Sequence, residues 1–134
     1  MNADNSPVPG RQVHTAHDIV REPEYVFLIL KALVKAGGTS TPMGVREDIY
    51  PHVADRLSDW DRDPVSDKSR FFPRWAHRME CVRFKLCVAG LMQRNSHPGI
   101  WEITEEGRAH LAAGDLKATW KKLSAAFSAH RTGR

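Results

Sequence analysis

Residues 69–111 read SRFFPRWAHRMECVRFKLCVAGLMQRNSHPGIWEITEEGRAHL, and this succession of patterns restricts the fold more than any other part of the chain. Trp75, Met79, Val82, Leu86 and Ala89 recur at steps of four and three, which makes one narrow apolar stripe along a helix. That helix is expected to begin near Phe72-Pro73 and to end at Ala89-Gly90. Two short apolar strands follow, residues 91–94 and 100–103, on either side of the turn-forming sequence Asn95-Ser96-His97-Pro98-Gly99. A further helix opens at Thr104. Helix, hairpin, helix is the second half of a winged helix-turn-helix, which lays its first helix in a DNA groove and its hairpin beside the backbone. The fold class expected is therefore α+β, mainly α, with a two-stranded wing and an added C-terminal helix.

The remaining segments fit that frame. Residues 1–21 are polar, contain Pro7, Pro9 and Gly10, show no sustained period, and read as a flexible arm. Glu22-Pro23-Glu24 has the proline and acids of a helix start. Tyr25, Leu28, Ile29, Ala32 and Leu33 follow at helical spacing until Gly37-Gly38. Thr41 caps a second helix with Pro42 at its first position and Val45, Ile49, Val53 and Leu57 on one face. Pro51 is expected to kink or split that helix. Residues 58–69 read as a solvated acidic loop in which Trp60 packs back on the core. Leu116, Trp120, Leu123 and Phe127 form the stripe of a final basic helix. The organisation expected is an arm (1–21), a winged-helix domain (22–113) and a C-terminal helix (114–134).

The 134 residues suffice for one domain, and no apolar run approaches the length of a membrane span. Two cysteines, Cys81 and Cys87, imply no disulfide framework, and a reducing cytoplasm in association with the nucleoid is the expected setting. Charge is unevenly placed. Residues 42–67 carry seven acids against three Arg, residues 68–108 eight Lys/Arg against four Glu, and residues 117–134 five Lys/Arg and no acid. The positive charge thus lies on the hairpin half and the tail, as a polyanion-binding surface requires.

Within this frame residues 22–113 resemble the N-terminal winged-helix domain of Mrr-type restriction endonucleases. The resemblance is carried by Pro23, Tyr25, Leu30-Lys31-Ala32-Leu33 and Gly37, then Arg78, Arg83, Leu86 and Ala89-Gly90-Leu91-Met92. It ends in Gly99-Ile100-Trp101 and Ile103-Thr104 with Gly107. It implies a DNA-recognition module, here standing alone, that helps target modified DNA, notably DNA carrying 5-methylcytosine, beside a nuclease partner. The chain departs from the family at Cys81, where the family often has Trp, and at Pro98, where a basic residue often precedes the wing glycine.

The residues expected to contact double-stranded DNA are Lys68, Ser69, Arg70, Arg74, His77 and Arg78 around the start of the third helix. Arg94, Asn95, Ser96 and His97 join them in the wing. Arginine can hold phosphate or read guanine through its fork, and a helix N-terminus favours a phosphate. Arg78 flanks the core stripe and alternatively pairs with an acid. Phe71, Phe72 and Trp75 cluster where a modified base would need an apolar pocket; core packing is the competing role. His77, Cys81 and Phe84 point away from the stripe, so Phe84 needs a cover. His77 and Cys81 alone do not complete a metal site. No cofactor, metal or catalytic residue is expected, and no nuclease pattern of an Asp followed by Glu/Gln-x-Lys is present. A second function class stays open, a winged helix used as a protein-interaction or dimerisation module, with Trp120, Leu123 and Phe127 facing either their own domain or a second copy.

Overall fold

The computed structural model describes residues 20–64 and 72–132. Helix α1 (Glu22–Lys35) starts with Glu22 and Glu24 in its first turn, and the Glu24 carboxylate accepts the Arg21 backbone N–H at 2.9 Å. Both placements oppose the positive end of the helix dipole. Its buried face carries Tyr25, Val26, Ile29, Leu30 and Leu33. The helix stops because Gly37 and Gly38 adopt φ of +89° and +112°, which brings the Gly38 N–H to the Leu33 carbonyl at 2.7 Å.

The chain then forms a strand, β1 (Thr39–Ser40), and helix α2 (Pro42–Val53). Thr41 caps α2 as expected, its Oγ1 accepting the Gly44 N–H at 2.9 Å. Pro51 lies within the last turn of α2, which passes at Ala54 into a single 3-10 turn, Ala54–Arg56. The acidic segment differs from the expected loop. Residues 59–62 are a short helix, α3 (Asp59–Arg62), capped by Ser58, rather than loop. Asp61 within it is fully buried, so this acidic stretch is not solvated throughout. Trp60 is 53% exposed and does not return to the core.

Helix α4 (Arg74–Val88) begins one residue after Pro73 and buries Trp75, Met79, Val82 and Leu86, the stripe seen in the sequence. The strand β2 (Trp101–Glu102) pairs antiparallel with β1, Thr39 opposite Glu102 and Ser40 opposite Trp101. Residues 91–94 approach β2 on the wing side only through a bridge between Met92 and Ile103 and a bond from the Gln93 N–H to the Glu102 carbonyl, 2.9 Å. The wing is therefore a short β-ladder whose second strand is shared with β1. Helix α5 (Glu105–Ala113) and helix α6 (Leu116–Arg131) complete the described chain.

The core sits around α1, which packs on α2, α4, α5 and α6. Thr104 locks the wing to this core. Its hydroxyl donates to the Gly90 carbonyl at 2.7 Å and accepts the Gly107 N–H at 2.9 Å. Thr104→Ala should therefore lower unfolding stability by about 1–2 kcal/mol, read from the urea midpoint at unchanged slope. A smaller change than a few tenths would mean that water replaces both bonds.

α6 answers the question of what covers Phe84. Leu123 is buried, and Trp120, Leu116 and Ala126 pack against the core of their own domain. Phe127 meets Phe84 edge-on at 6.1 Å between ring centroids, and His130 does so at 5.4 Å. Phe84 nevertheless remains 42% exposed.

Candidate nucleic-acid interface

Most of the cations on α4 are committed inside the protein. Arg74 lies 3.6 Å from the centroid of the Trp60 ring and donates to the Trp60 carbonyl at 3.2 Å. Arg78 donates to the Asp61 carboxylate at 3.2 Å and to the Val20 carbonyl at 3.4 Å. Asp61 also accepts the Ser58 N–H and hydroxyl, so α3, α4 and the entrance to α1 meet at one carboxylate. Tyr25 belongs to the same cluster, and burial pushes its phenol up to about 12. Lys85 donates to Glu22 at 2.7 Å and lies over the rings of Trp120 and Phe127 at 5.2 and 4.8 Å. Arg78 thus takes the acid partner that the sequence left as its alternative.

The outward face of α4 carries little positive charge. His77 is exposed, with Nε2 3.7 Å from the Cys81 Sγ and its ring edge-on to Phe72 at 5.9 Å. His77 and Cys81, together with Glu22, Glu80, Phe84, Lys85 and Phe127, line an open groove of about 460 Å³. Burial raises the Cys81 thiol above its ordinary range, and the nearby Glu22 carboxylate adds to this. No group of three metal-ligating side chains occurs among the described residues.

The wing has the opposite character. Arg94, Asn95 and His97 are exposed, and Ser96 holds the turn in shape by donating to the Ile100 carbonyl at 2.6 Å. The Ile100 N–H returns to the His97 carbonyl, and Gly99 takes φ of +80° with open space around it. Three polar side chains are thereby presented on a fixed turn. Arg83, on α4, lies 5.2 Å from the centroid of Trp101 in β2. Sequence reasoning did not single it out as a contact residue. The signal was there, since Arg83 falls on the opposite side of the apolar stripe from Arg74, Arg78 and Lys85.

The aromatic cluster expected to form a modified-base pocket divides. Trp75 is 4% exposed, tilted against Tyr50 at 5.6 Å, and lines a shallow groove with Met43, Arg46 and Pro51. Phe72 is half-buried against His77. Lys68, Ser69, Arg70 and Phe71 lie outside the described residues.

Helices α1, α2 and α4 around a β1–β2 pair, with a turn projecting beyond it, define a winged-helix-like protein. The chain belongs to the Mrr N-terminal domain family, whose family model matches residues 23–113. That family is restriction-related, suggests a DNA-binding role, and corresponds to an N-terminal rather than a catalytic domain. No curated protein and no solved structure matches the chain. No helix among the described residues is long and apolar enough to cross a membrane.

Proposed function

We propose that this protein binds double-stranded DNA through its wing and the adjoining flank of α4, as a reader without cleavage chemistry of its own. The observation that carries this reading is the exposed wing turn, where Arg94, Asn95 and His97 project from a backbone fixed by Ser96 and Gly99. Such a turn can follow a phosphate backbone or enter the minor groove. Its family context supports it, and the same context supports extending the reading to duplexes bearing 5-methylcytosine, with cleavage left to a nuclease partner.

The combined substitution Arg94→Ala and His97→Ala should weaken duplex binding about tenfold while leaving the thermal midpoint unchanged, because neither side chain supports the core. Electrophoretic titration beside a melting curve reads both quantities. Wild-type affinity in the double variant would move the contact surface away from the wing.

A second reading is favoured by a different observation. The groove between α4 and α6 presents Phe84, Cys81 and Phe127 beside a carboxylate, Glu80, which a polyanion would not favour. It suits a protein partner better than DNA, and fold alone does not choose between the two uses.

A further inference from the structure

We infer that Arg83, together with Arg94, forms a notch between α4 and the wing that grips a backbone phosphate of the bound duplex, and that Arg83 is its anchoring cation. This rests on the DNA-binding reading and assigns within it a contact residue on α4.

Three observations converge. Arg74, Arg78 and Lys85 each have internal partners, whereas Arg83 and Arg94 form no ion pair among the described residues. The Nε of Arg83 is buried and has no hydrogen-bond partner. Its guanidinium lies over the ring of Trp101, in β2. A buried N–H without a partner is unfavourable by itself, so an acceptor that engages the guanidinium displaces no existing hydrogen bond of the Nε. Arginine meets a phosphate through two parallel N–H bonds, and stacking on an aromatic face orients the fork in advance. Little side-chain freedom then remains to be lost on binding.

Arg94 is exposed on the chain that enters the wing. Cys87, on the last turn of α4, contacts the Gln93 carbonyl through its thiol at 3.6 Å. Burial pushes that thiol up, and the positive charges of Arg83 and Arg94 both pull it back. Cys87 lies one helical turn after Arg83 and touches the residue before Arg94, so the two arginines leave neighbouring stretches of backbone where α4 gives way to the wing. Neither cation forms an ion pair among the described residues, and either one offsets the single negative charge of a phosphodiester.

The test is duplex binding by the full chain over a salt series, for wild type, Arg83→Gln, Arg83→Lys and the Arg83→Gln/Arg94→Gln pair, each checked for an intact thermal transition. Arg83→Gln should weaken binding about tenfold and lower the slope of log affinity against log salt, and the pair should weaken binding further with a total slope loss of about one, since both cations serve one phosphate. Arg83→Lys should keep the slope, since the charge remains, and lose part of the affinity with the fork. Unchanged affinity and slope in a folded Arg83→Gln protein, with wild type still binding DNA, would overturn the inference and leave Arg83 as a cation packed on Trp101. Failure of wild type to bind any duplex at low salt would remove the DNA reading and this inference with it.

Discussion

Arg78→Ala should destabilise the protein by about 3–5 kcal/mol, the range for removing one partner from a buried ion pair. Asp61 is the reason. Its side chain is 1% exposed, and Arg78 is the cation bonded to it. Without the guanidinium, the carboxylate keeps, among the described residues, the Ser58 N–H and hydroxyl as donors. A hydrogen-bonded but uncompensated charge in a dry site is strongly unfavourable. Arg78→Lys should recover much of the loss, because the bonds to Asp61 and to the Val20 carbonyl both leave one nitrogen, Nη1, and an ammonium carries enough donors for both. Denaturant unfolding of the two variants measures this directly. A loss below about 1 kcal/mol in Arg78→Ala would mean that water reaches Asp61 and that Arg78 is available for other contacts. The result also governs how binding data are read: an Arg78 variant that fails to bind DNA has to be shown folded before its arginine is credited with a contact.

Gly107→Ala should be damaging for a purely steric reason. A Cβ at this position would stand 2.2 Å from the Leu91 carbonyl oxygen and 2.8 Å from the Ile103 Cγ1. The first of these is backbone in the chain entering the wing, so it cannot turn aside as a side-chain tip would. Relief requires α5 to withdraw from residues 91–103, which would strain the bonds linking Thr104 to Gly90 and Gly107. Overpacking of this kind is destabilising by about 3 kcal/mol. The thermal midpoint of Gly107→Ala, compared with that of Gly99→Ala, tests the mechanism. Gly99, unlike the helical Gly107, has positive φ and open space around it, so its variant carries backbone strain without a collision. Equal losses in the two would show that steric contact at Gly107 is not the cause.

These two positions mark what could be read from the sequence. Gly107 belongs to the Thr104-containing stretch that carried the family resemblance, and its need for a bare Cα follows from the tight approach of α5 to the wing. The caps at Thr41 and Thr104 and the stripe of α4 were equally legible, because each depends on residues within one or two helical turns. Asp61 was not legible. Its partner Arg78 is 17 residues away and on another helix, so the sequence shows only an acid among acids. The four-residue α3 was hidden for a related reason, since a single capped turn has no period to detect. Strand β1 has two residues, too few to alternate, and it took over the pairing expected within the wing. At the interface, the exposed wing residues were accessible to turn chemistry. Which arginines of α4 remain unpaired depended on where Trp60, Asp61, Glu22 and Trp101 lie in space.

The most direct test of the central claim is fluorescence anisotropy of the wild-type protein with two labelled duplexes, identical except for 5-methylcytosine, over a salt series. Binding that weakens linearly in log affinity against log salt, with a slope of about 0.9 for each phosphate engaged, is the predicted result, and tighter binding to the methylated duplex would establish its proposed preference. No binding to either duplex at low salt would contradict the account and leave the groove between α4 and α6 as the working surface of the fold.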